Sequence, residues 1–564
     1  MGYMTINNRK VEFTDEKNVL AVIRNAGIDL PTFCYHSELS TFGACRLCVV
    51  EDEKGKVFAS CSERPRDGMV IYTNTRRLQH HRKMIIELLL AAHCRDCTTC
   101  APANGICNLQ ELSKRLGVRE VRFDNYKERF PLDRTSPCVV RDLNKCILCG
   151  DCVRVCHEIE GVGVLGFARR GSKMMITTPF KRDLADTNCV GCGQCRVVCP
   201  TGAITINQDI NPVWELLEDK DVRVVAQIAP AVRVAIGDSF DLEKGTNALG
   251  HLVAAMRYMG FEEVYDTDFG ADLTIIEEAN ELVERLEAGD NLPLFTSCCP
   301  AWVKFCEDRY PQFAKNISTC RSPQQMFGAL IKEEARMNKE KDGRRTVVVS
   351  IMPCTAKKAE ILRPEHYTDG EQNVDYVLTT TEMADMIKMA GIDLADITPE
   401  ALDMPFGMSS GAGAIFGTTG GVTEAALRYL KNSTKSSDMD EIKFSGVRGN
   451  DAVKEAVVDL NGREVRIAVI NGLGNAAKVL DQIEAGEVHY DFVEVMTCRY
   501  GCVNGGGQPV GLGLENETKV ARQNGLYRFD SRSQIKSSGQ NPVALSLYDG
   551  ILKGKEHKLL HNEK

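Results

Sequence analysis

Cysteine spacing limits what this chain can fold into more than any other feature. Two runs of four cysteines follow one another, Cys146-x2-Cys149-x2-Cys152-x3-Cys156 and Cys189-x2-Cys192-x2-Cys195-x3-Cys199-Pro200. The chain has 24 cysteines among 564 residues, and most lie in tight CxxC spacings. Large proteins of reducing compartments seldom use a disulfide framework, and a zinc ribbon does not need two interlocked runs. The spacing therefore predicts iron–sulfur ligation.

The two runs resemble the ligand pattern of bacterial ferredoxins with two clusters, in which the fourth cysteine of each run binds the other cluster. The resemblance implies two accessory [4Fe–4S] clusters. Their ligands would be Cys146, Cys149, Cys152 and Cys199 for one, and Cys189, Cys192, Cys195 and Cys156 for the other. We assign residues 127–209 to this ferredoxin-like domain.

Residues 1–78 begin with short strands in MTINNRKVEF and a helical stretch at about 16–26. They also contain Cys34, Cys45, Cys48 and Cys61. A wide gap, a CxxC pair and a distant fourth cysteine suit a loop around a flat two-iron cluster. The pattern resembles the N-terminal [2Fe–2S] domain of hydrogenases and of the large iron–sulfur subunit of respiratory complex I. A small zinc site is the alternative.

Residues 79–126 contain the apolar run MIIELLLAAH, followed by His93, Cys97, Cys100 and Cys107. We predict that His93 and Cys97 share a helix face, with Cys100 one turn further on. The set resembles the His/Cys3 [4Fe–4S] site of the same two families, which implies a third accessory [4Fe–4S] cluster. The six residues before Cys107 are one more than that site has, and Cys94 is an additional candidate ligand.

After about Ile210, cysteines become rare and apolar strand-like runs alternate with helical stretches. Such runs occur at 223–237, 345–352 and 465–470. This alternation predicts an α/β domain with a mostly parallel sheet, in which ligands bind beyond the carboxyl ends of the strands. We therefore predict a multidomain α+β and α/β chain. Its N-terminal ferredoxin-like iron–sulfur domains precede one large α/β domain at 210–564.

Three cysteine segments mark the large domain: TSCCPAW at 296–302, MPCTAKK at 352–358 and EVMTCRYGCVNGGGQP at 494–509. Cys498 and Cys502 would share one face of a helix, and the three glycines would let the backbone approach a bulky group. Together the segments closely resemble the signature motifs of iron-only ([FeFe]) hydrogenases. The resemblance covers nearly the whole chain and is to the monomeric clostridial type with four accessory clusters. The tail from Leu526 resembles the small subunit of that family, fused to the catalytic domain.

This resemblance implies an H-cluster, which is a [4Fe–4S] cubane joined to a two-iron subcluster with CO, cyanide and dithiolate ligands. The implied cubane ligands are Cys299, Cys354, Cys498 and Cys502, the last of which bridges to the two-iron unit. Lys357 corresponds to a lysine that contacts a cyanide ligand. The implied pocket residues are Met352, Met496, Pro230, Ala231, Gln324, Phe416 and Gly417.

The resemblance also implies a proton relay. Cys298 corresponds to the relay cysteine, and we expect a free thiol of near-neutral pKa there. The rest of the relay to solvent would be Glu278, Ser318, Glu281 and Arg285. The spacing of Glu278, Glu281 and Arg285 places them on one side of a helix. By itself this pattern predicts only a solvated face.

The implied reaction is 2H⁺ + 2e⁻ ⇌ H₂, with ferredoxin or flavodoxin as electron carrier and with maturation proteins that supply the two-iron unit. An acidic carrier could dock on a basic stretch, although such charges usually form a solvated face. The stretch comprises Arg64, Arg66, Arg76, Arg77, Arg82 and Lys83.

Net charge and the length of apolar runs indicate which classes of partner and which location are expected. A net charge of −9 does not favour nucleic acid as a partner. The longest apolar run, 84–92, is too short to span a membrane, and the N-terminus lacks a signal-peptide core. We therefore expect a cytoplasmic protein with no membrane partner, and the resemblance implies a monomer.

Some features fit the resemblance less simply. Arg499 and Tyr500 replace the small residue or histidine and the glycine that are more usual, and we expect them beside the cubane. Gly472-Leu-Gly-Asn-Ala-Ala, with Glu494 about 20 residues on, resembles a dinucleotide fingerprint. We favour a place for Glu494 in the cluster wall instead.

The glycine-rich stretch 407–421 matches the family but is, by pattern alone, a flexible loop. The unassigned cysteines are predicted to be small buried hydrophobes: Cys94, Cys138, Cys306 and Cys320.

Two other classes of function share part of this sequence pattern with hydrogenases. A complex I-type electron-transfer subunit would share the N-terminal domains but would lack the three segments of the large domain. A non-catalytic H-cluster sensor, or an iron–sulfur assembly protein of similar fold, would keep the architecture. A sensor is expected to lose the relay thiol, whereas Cys298 is present.

Overall fold

The computed structural model describes residues 1–100, 107–125, 127–338, 343–431, 446–460, 462–510 and 515–562. Five strands form a mixed sheet at the N-terminus. Their spatial order is Arg9–Phe13, Gly2–Ile6, Val70–Tyr72, Val49–Asp52 and Val57–Ala59. The helix Val19–Asn25 begins after Asn18, whose side chain accepts a hydrogen bond from the Ala21 N–H. Its apolar face packs on the sheet, so this unit has a core of its own.

The helices Arg76–Ala91 and Asn108–Arg115 lead into the ferredoxin-like unit. There, Val139–Arg141 pairs with Ile204–Ile206, and Gly166–Ala168 pairs with Met175–Thr177, both antiparallel. The short helices Asp151–Arg154 and Gln194–Val197 each follow a glycine of left-handed conformation, Gly150 (φ 79°) and Gly193 (φ 72°). The two cysteine runs therefore share their local backbone structure.

The large domain contains two four-stranded sheets and a short hairpin, Tyr367–Thr368 with Glu371–Gln372. The first sheet has the order Glu263–Asp266, Val222–Ile228, Arg345–Met352 and Tyr376–Thr379, all parallel. The second has the order Leu294–Phe295, Phe492–Met496, Arg463–Asn471 and Val453–Leu460, of which the last pair is antiparallel. The central strands are buried on both faces, which is typical of parallel sheets covered by helices.

Helices cover these sheets. In chain order they are Ile210–Glu218, Leu249–Met259, Thr267–Ala288, Pro300–Arg309, Pro323–Met337, Lys357–Glu360, Thr380–Met389, Gly411–Ala414, Gly421–Leu430, Leu473–Glu484, Glu515–Arg532, Pro542–Asp549 and Glu556–Leu560. Thr267–Ala288, hereafter the long helix, packs against Pro323–Met337 and Gly421–Leu430. Among the described residues, no helix is both long and apolar enough to cross a membrane.

Four parallel strands end at the segments that the sequence singles out. Val222–Ile228 leads to Pro230, and Leu294–Phe295 leads to TSCCPAW. Arg345–Met352 leads to MPCTAKK, and Phe492–Met496 leads to Cys498. These strands are mostly buried, so the four segments lie beyond the carboxyl ends of buried strands, where ligands of parallel sheets bind.

Two predicted helical arrangements are wrong. The helix before His93 ends at Ala91, so His93, Cys97 and Cys100 lie in the turns that follow it. Cys498 and Cys502 are not on one helix, because Tyr500 (φ 68°) and Gly501 (φ 85°) are left-handed between them. Residues 101–106, which form the long gap before Cys107, lie outside the described residues.

The glycine-rich stretch 407–421 is buried and mostly ordered into helical turns rather than forming a flexible loop. A Cβ on Gly413 would lie 2.5 Å from Asp268 O, and one on Gly411 would lie 2.4 Å from the Asp530 side chain. The glycines here serve close packing against the long helix and the C-terminal region.

Candidate active site

A buried cavity lies at the carboxyl ends of the four strands. Six cysteines line it: Cys298, Cys299, Cys354, Cys498 and Cys502 of the large domain, and Cys192 of the ferredoxin-like unit. Within the described residues no three His, Cys, Asp or Glu side chains converge on a single ion. A cubane does not require such convergence, because its thiolates bind separate irons. The structure thus brings together the predicted cubane ligands and the predicted relay thiol.

The residues predicted around the two-iron unit line the same cavity: Pro230, Ala231, Gln324, Met352, Phe416, Gly417 and Met496. The cavity and its opening contain about 870 Å³ of space between atoms. Gln324 Oε1 is buried and has no hydrogen-bond partner among the described residues. A sulfur-lined, mostly apolar cavity with an unpartnered polar atom in its wall fits a bulky cluster that carries polar ligands.

Three glycines after Cys502 let loops of different domains cross beside the cavity. A Cβ on Gly505 would lie 2.2 Å from Pro353 O, and one on Gly506 would lie 2.3 Å from Cys192 O. No side chain fits at such distances. Gly505 and Gly506 therefore allow a close approach of neighbouring backbone, and Gly505 also lines the cavity, as expected. The crossing places Cys192 of the ferredoxin-like unit in the cavity wall.

Lys357 is held in the cavity wall by oxygen acceptors. Its Nζ donates to Ser322 Oγ at 2.8 Å, to Cys298 O at 3.3 Å and to the two oxygens of Glu360 at 2.8 and 2.9 Å. Burial opposes ionisation of Glu360, but the charge of Lys357 and hydrogen bonds keep the pKa of this carboxyl below its ordinary value. The sequence analysis missed Glu360, although its i, i+3 spacing from Lys357 was the available signal.

The predicted relay residues form a connected, largely buried group on and beside the long helix. The Ser297 N–H donates to Glu278 Oε1 at 3.3 Å, and Ser318 Oγ donates to Glu281 Oε2 at 2.7 Å. Arg285 donates to Glu281 Oε1 at 2.5 Å. Glu278 is 1 % exposed and Glu281 9 %. The prediction of a solvated face, made from spacing alone, is wrong.

Burial sets the protonation of this group. It raises the pKa of Glu278 to about 8, and the neighbouring charge of Glu281 adds to the rise. Burial, followed by the charge of Glu278, raises the pKa of the Cys298 thiol well above its usual range. The expectation of a near-neutral pKa for this thiol is therefore wrong, because burial favours its protonated form.

Comparison with protein families identifies this arrangement. Residues 222–506 match the C-terminal domain of the large subunit of iron-only hydrogenases, and residues 516–563 match the iron hydrogenase small subunit. The chain belongs to the iron-only hydrogenase family. Three further matches cover the N-terminal part. They are a 2Fe–2S cluster-binding domain at 3–76, the iron–sulfur binding region of NADH-ubiquinone oxidoreductase G at 82–122 and a 4Fe–4S dicluster domain at 145–208.

Two hydrogenases among the relatives align over nearly the full length of this chain, and an assembly factor aligns over about two thirds of it. The NADP-reducing hydrogenase subunit HndD of Solidesulfovibrio fructosivorans is 41% identical and aligns over 99% of this chain and 98% of its own. Iron hydrogenase 1 of Clostridium pasteurianum is 35% identical over 100% and 99% of the two chains. A cytosolic Fe–S cluster assembly factor of Xenopus tropicalis is more distant, at 28% over 64% and 78%.

Solved structures of this family share the fold of the large domain. An apo [FeFe]-hydrogenase, HydA1 of Chlamydomonas reinhardtii, is 37% identical with a TM-score of 0.53. The match covers 63% of this hydrogenase and 98% of that chain. The predicted fold class, iron–sulfur domains followed by a catalytic α/β domain, is therefore confirmed.

In this hydrogenase the four N-terminal cysteines lie in two neighbouring pairs. The Cys45 N–H donates to Cys34 Sγ at 3.2 Å, and the thiols of Cys48 and Cys61 are hydrogen-bonded. Arg82 is buried and donates to Leu47 O at 2.9 Å and to Val49 O at 2.6 Å, which braces the loop around Cys48.

The predicted docking stretch is consequently less basic at its surface than expected. Arg82 is buried. Arg66 pairs with Glu63 at 2.6 Å, and Arg77 pairs with Glu51 at 3.2 Å. The inclusion of Arg82 in a docking surface is wrong, because its guanidinium serves the cysteine loop.

The predicted ligands near His93 remain available to a cluster. His93 is buried, and its Nδ1 has no hydrogen-bond partner among the described residues. Burial raises the pKa of Cys100, and the charges of Cys107, Cys94 and Cys97 add to the rise. These four thiols therefore lie near one another, with Cys94 among them.

The predicted cluster sites form a continuous series. Cys34, Cys45, Cys107 and Cys149 meet in one apolar cluster, which joins both outer sites to the ferredoxin-like unit. The remaining cysteines of that unit, apart from Cys192, share a second cluster: Cys146, Cys152, Cys156, Cys189, Cys195 and Cys199. Cys192 then reaches the cavity. This order suits electron transfer between the protein surface and the large domain.

Glu494 and the Gly472 motif have structural explanations. Glu494 accepts hydrogen bonds from the N–H groups of Gly420 and Thr423, at 2.6 and 2.8 Å, so it anchors the glycine-rich stretch. Our placement of it in the cluster wall is wrong. A Cβ on Gly474 would lie 2.9 Å from Ile159 O, so this helix start packs on the ferredoxin-like unit.

Neither Arg499 nor Tyr500 lines the cavity, although Tyr500 packs in the same apolar cluster as Cys502. Arg499 lies 3.9 Å from Glu38 of the N-terminal unit, and Lys519 Nζ lies 5.2 Å from the centre of the Tyr500 ring. Of the unassigned cysteines, Cys138, Cys306 and Cys320 are buried as predicted, whereas Cys94 is not.

Proposed function

We propose that this hydrogenase catalyses 2H⁺ + 2e⁻ ⇌ H₂ at an H-cluster held by Cys299, Cys354, Cys498 and Cys502. The observation that carries the proposal is the buried cavity that these thiols share with Cys298. The bound cluster would supply the metal chemistry that reduces protons. The protein would supply the dry cavity, the electrons and the protons.

Each part of the cavity has a distinct role in this proposal. Met352, Met496 and Phe416 keep water away from the cluster, and soft methionine side chains adapt to its shape. Lys357 offers N–H groups to an anionic ligand, and Glu360 and Ser322 fix its direction. Cys298 gives or takes the proton at the cavity wall. Glu278, Ser318, Glu281 and Arg285 connect that thiol with solvent.

Electrons would reach the cavity through four accessory clusters. We propose one [2Fe–2S] cluster on Cys34, Cys45, Cys48 and Cys61 and one [4Fe–4S] cluster at His93, Cys97, Cys100 and Cys107. The two [4Fe–4S] clusters of the ferredoxin-like unit follow. The support is the series of shared apolar contacts that ends with Cys192 in the cavity wall.

We propose ferredoxin or flavodoxin as the carrier for a cytoplasmic monomer. The name of the relative HndD offers a second possibility, in which this chain is one part of a hydrogenase that reduces NADP. In that case the nucleotide would be handled by another chain, because the helix start at Gly474 is packed against Ile159.

Hydrogen evolution by the fully matured protein tests the function. With reduced viologen under anaerobic conditions, we expect H₂ together with infrared bands of CO and cyanide. Activity with reduced ferredoxin but not with NADPH would support the carrier proposal, and the reverse would contradict it. Absence of both H₂ and the infrared bands from fully metallated protein would exclude the hydrogenase reaction.

Gln194 provides a test of the cubane ligands. Its side chain donates to Cys498 Sγ at 3.1 Å and to Asn504 O at 2.9 Å. A hydrogen bond to a cluster thiolate favours the more negative, reduced state. We therefore expect Gln194→Leu to lower the cubane reduction potential by roughly 40 mV, the equivalent of about 1 kcal/mol for one electron.

A redox titration followed by electron paramagnetic resonance measures this shift. Gln312→Leu is the control, because Gln312 is exposed and its side chain donates to Glu484, away from the cavity. An unchanged potential in Gln194→Leu would contradict a cubane on Cys498.

The other function classes are less well supported. A complex I-type protein is disfavoured because the chain matches the hydrogenase large-subunit domain. Assembly factors are more distant relatives than the hydrogenases. A sensor would be expected to lose the relay thiol, whereas Cys298 is present and lines the cavity.

A further inference from the structure

The end of the chain lies directly beside the relay. The segment Ser318-Thr319-Cys320 holds Glu281, because Ser318 Oγ donates to Oε2 and the Thr319 N–H lies 3.1 Å from both carboxylate oxygens. This segment has no helix or strand of its own. Its position must therefore be fixed by neighbouring parts of the protein.

The C-terminal residues Leu560–Asn562, hereafter the tail clamp, pair with this segment through the backbone. The Asn562 N–H donates to Thr319 O at 2.8 Å, and the Arg321 N–H donates to Leu560 O at 2.8 Å. Cys320 and His561 face each other in an isolated antiparallel bridge. Leu559 and Leu560 are fully buried in the main core, which anchors the clamp.

The His561 side chain joins the clamp to both sides of the relay. Its Nδ1 lies 2.9 Å from Thr319 Oγ1, and its Nε2 lies 3.0 Å from Glu277 Oε2. Glu277 precedes the relay residue Glu278 on the long helix, and its other oxygen accepts from Tyr548. His557, on the helix Glu556–Leu560, stacks on the His561 ring with ring centres 5.3 Å apart.

The tail clamp also closes a polar space beside the relay. Asn562, Ser318, Cys320 and His366 line a cavity in which about 200 Å³ can be occupied by the centres of water molecules. Asn562 Oδ1 and His366 Nδ1 are buried there without partners among the described residues. One water molecule needs roughly 10–15 Å³ by this measure, so the space has room for several.

We propose that the tail clamp positions the proton relay, with His561 and Thr319 as positioning residues that hold Glu281 and Ser318 at hydrogen-bond distance. The proposal rests on the proposed hydrogenase function and its relay. Neither His561 nor Thr319 exchanges the transferred proton. They affect the rate only by setting the distance between Glu281 and Ser318, which belong to the relay.

Variants that remove one link of the clamp test this proposal. We expect His561→Ala and Thr319→Val each to lower kcat for hydrogen evolution roughly 3- to 10-fold, the effect of one misplaced hydrogen bond. The solvent deuterium isotope effect on kcat should rise, while KM for the reduced carrier stays unchanged. Thr319→Ser retains the hydroxyl and should restore normal turnover. Because both changes remove the same contact, between His561 Nδ1 and Thr319 Oγ1, the double variant should be no slower than either single variant.

His557→Ala is the matched control and should behave as the unaltered protein. Normal kcat in both His561→Ala and Thr319→Val would overturn the proposal. So would a loss of turnover matched by an equal loss of iron and infrared bands, since the clamp would then act only on folding. Cys298→Ala, measured in the same series, separates the two proposals: if it is inactive while the clamp variants are normal, the relay stands and the clamp does not.

Discussion

Cys298→Ala should retain the H-cluster and lose almost all hydrogen turnover. The thiol lines the cavity wall and is the proposed relay group, and burial favours its protonated form by raising its pKa. Removing a positioned proton donor costs roughly 10²- to 10⁴-fold in rate. The measurement is kcat for hydrogen evolution with reduced viologen, together with iron content and the CO and cyanide infrared bands.

Cys306→Ala is the matched control for this experiment. Cys306 is a buried cysteine of the helix Pro300–Arg309, which begins just after Cys298 and Cys299, and it does not line the cavity. Its removal should affect stability rather than turnover. Cys298→Ala with more than about a tenth of normal turnover would contradict the relay role, given the expected size of the effect.

Glu278→Gln should produce the second large loss, of roughly 10²-fold or more. The amide is close to the carboxyl in shape but cannot pass a proton onward. In the unaltered protein, hydrogen evolution should decline as pH rises through the Glu278 pKa of about 8, because this carboxyl then loses the proton that it donates. The pH profile of kcat should lose this step in Glu278→Gln. Glu287→Gln, at an exposed position of the long helix, is the control.

Stability provides an independent check on the burial of Glu278. The folded protein holds this proton up to a pKa of about 8, whereas an unfolded carboxyl releases it near the ordinary pKa of 4.5. The folded state therefore binds more protons between these values, so the stability contributed by this group falls as pH rises across that range. Above a pH of about 8, Glu278→Gln should be at least as stable as the unaltered protein. A lower stability there, measured by thermal unfolding, would contradict a buried carboxylate.

Much of the architecture follows from short-range spacing. The two cysteine runs at 146–156 and 189–199 predict a duplicated unit, and both runs have the same glycine-led helical turn. The strand before Cys354 is predicted at 345–352 and found at Arg345–Met352. These features are local, because a run of neighbouring residues must satisfy the geometry of a cluster or of a buried strand. The two errors of local structure, at His93 and at Cys498–Cys502, occur where turns replace a helix.

Glu278 and Glu281 show what local spacing could not reveal. Their i, i+3 placement is the same for a solvated face and for a buried relay. The difference comes from Ser297, from the segment 318–320 and from the tail clamp, whose His561 is 284 residues from Glu277 in the sequence. Burial is a property of everything packed around a side chain, so no window of sequence contains it.

For the cavity, too, the sequence predicted some features and only the tertiary structure showed the others. Cysteine and glycine patterns predicted which segments line one cavity, because ligand chemistry restricts residue type and spacing over a few positions. Only the folded chain showed that Gly505 and Gly506 face the backbone of Pro353 and Cys192, that Glu360 holds Lys357, and that Gln194 reaches Cys498. These contacts join residues from separate domains, and their distances are set by how the two sheets and the ferredoxin-like unit pack together.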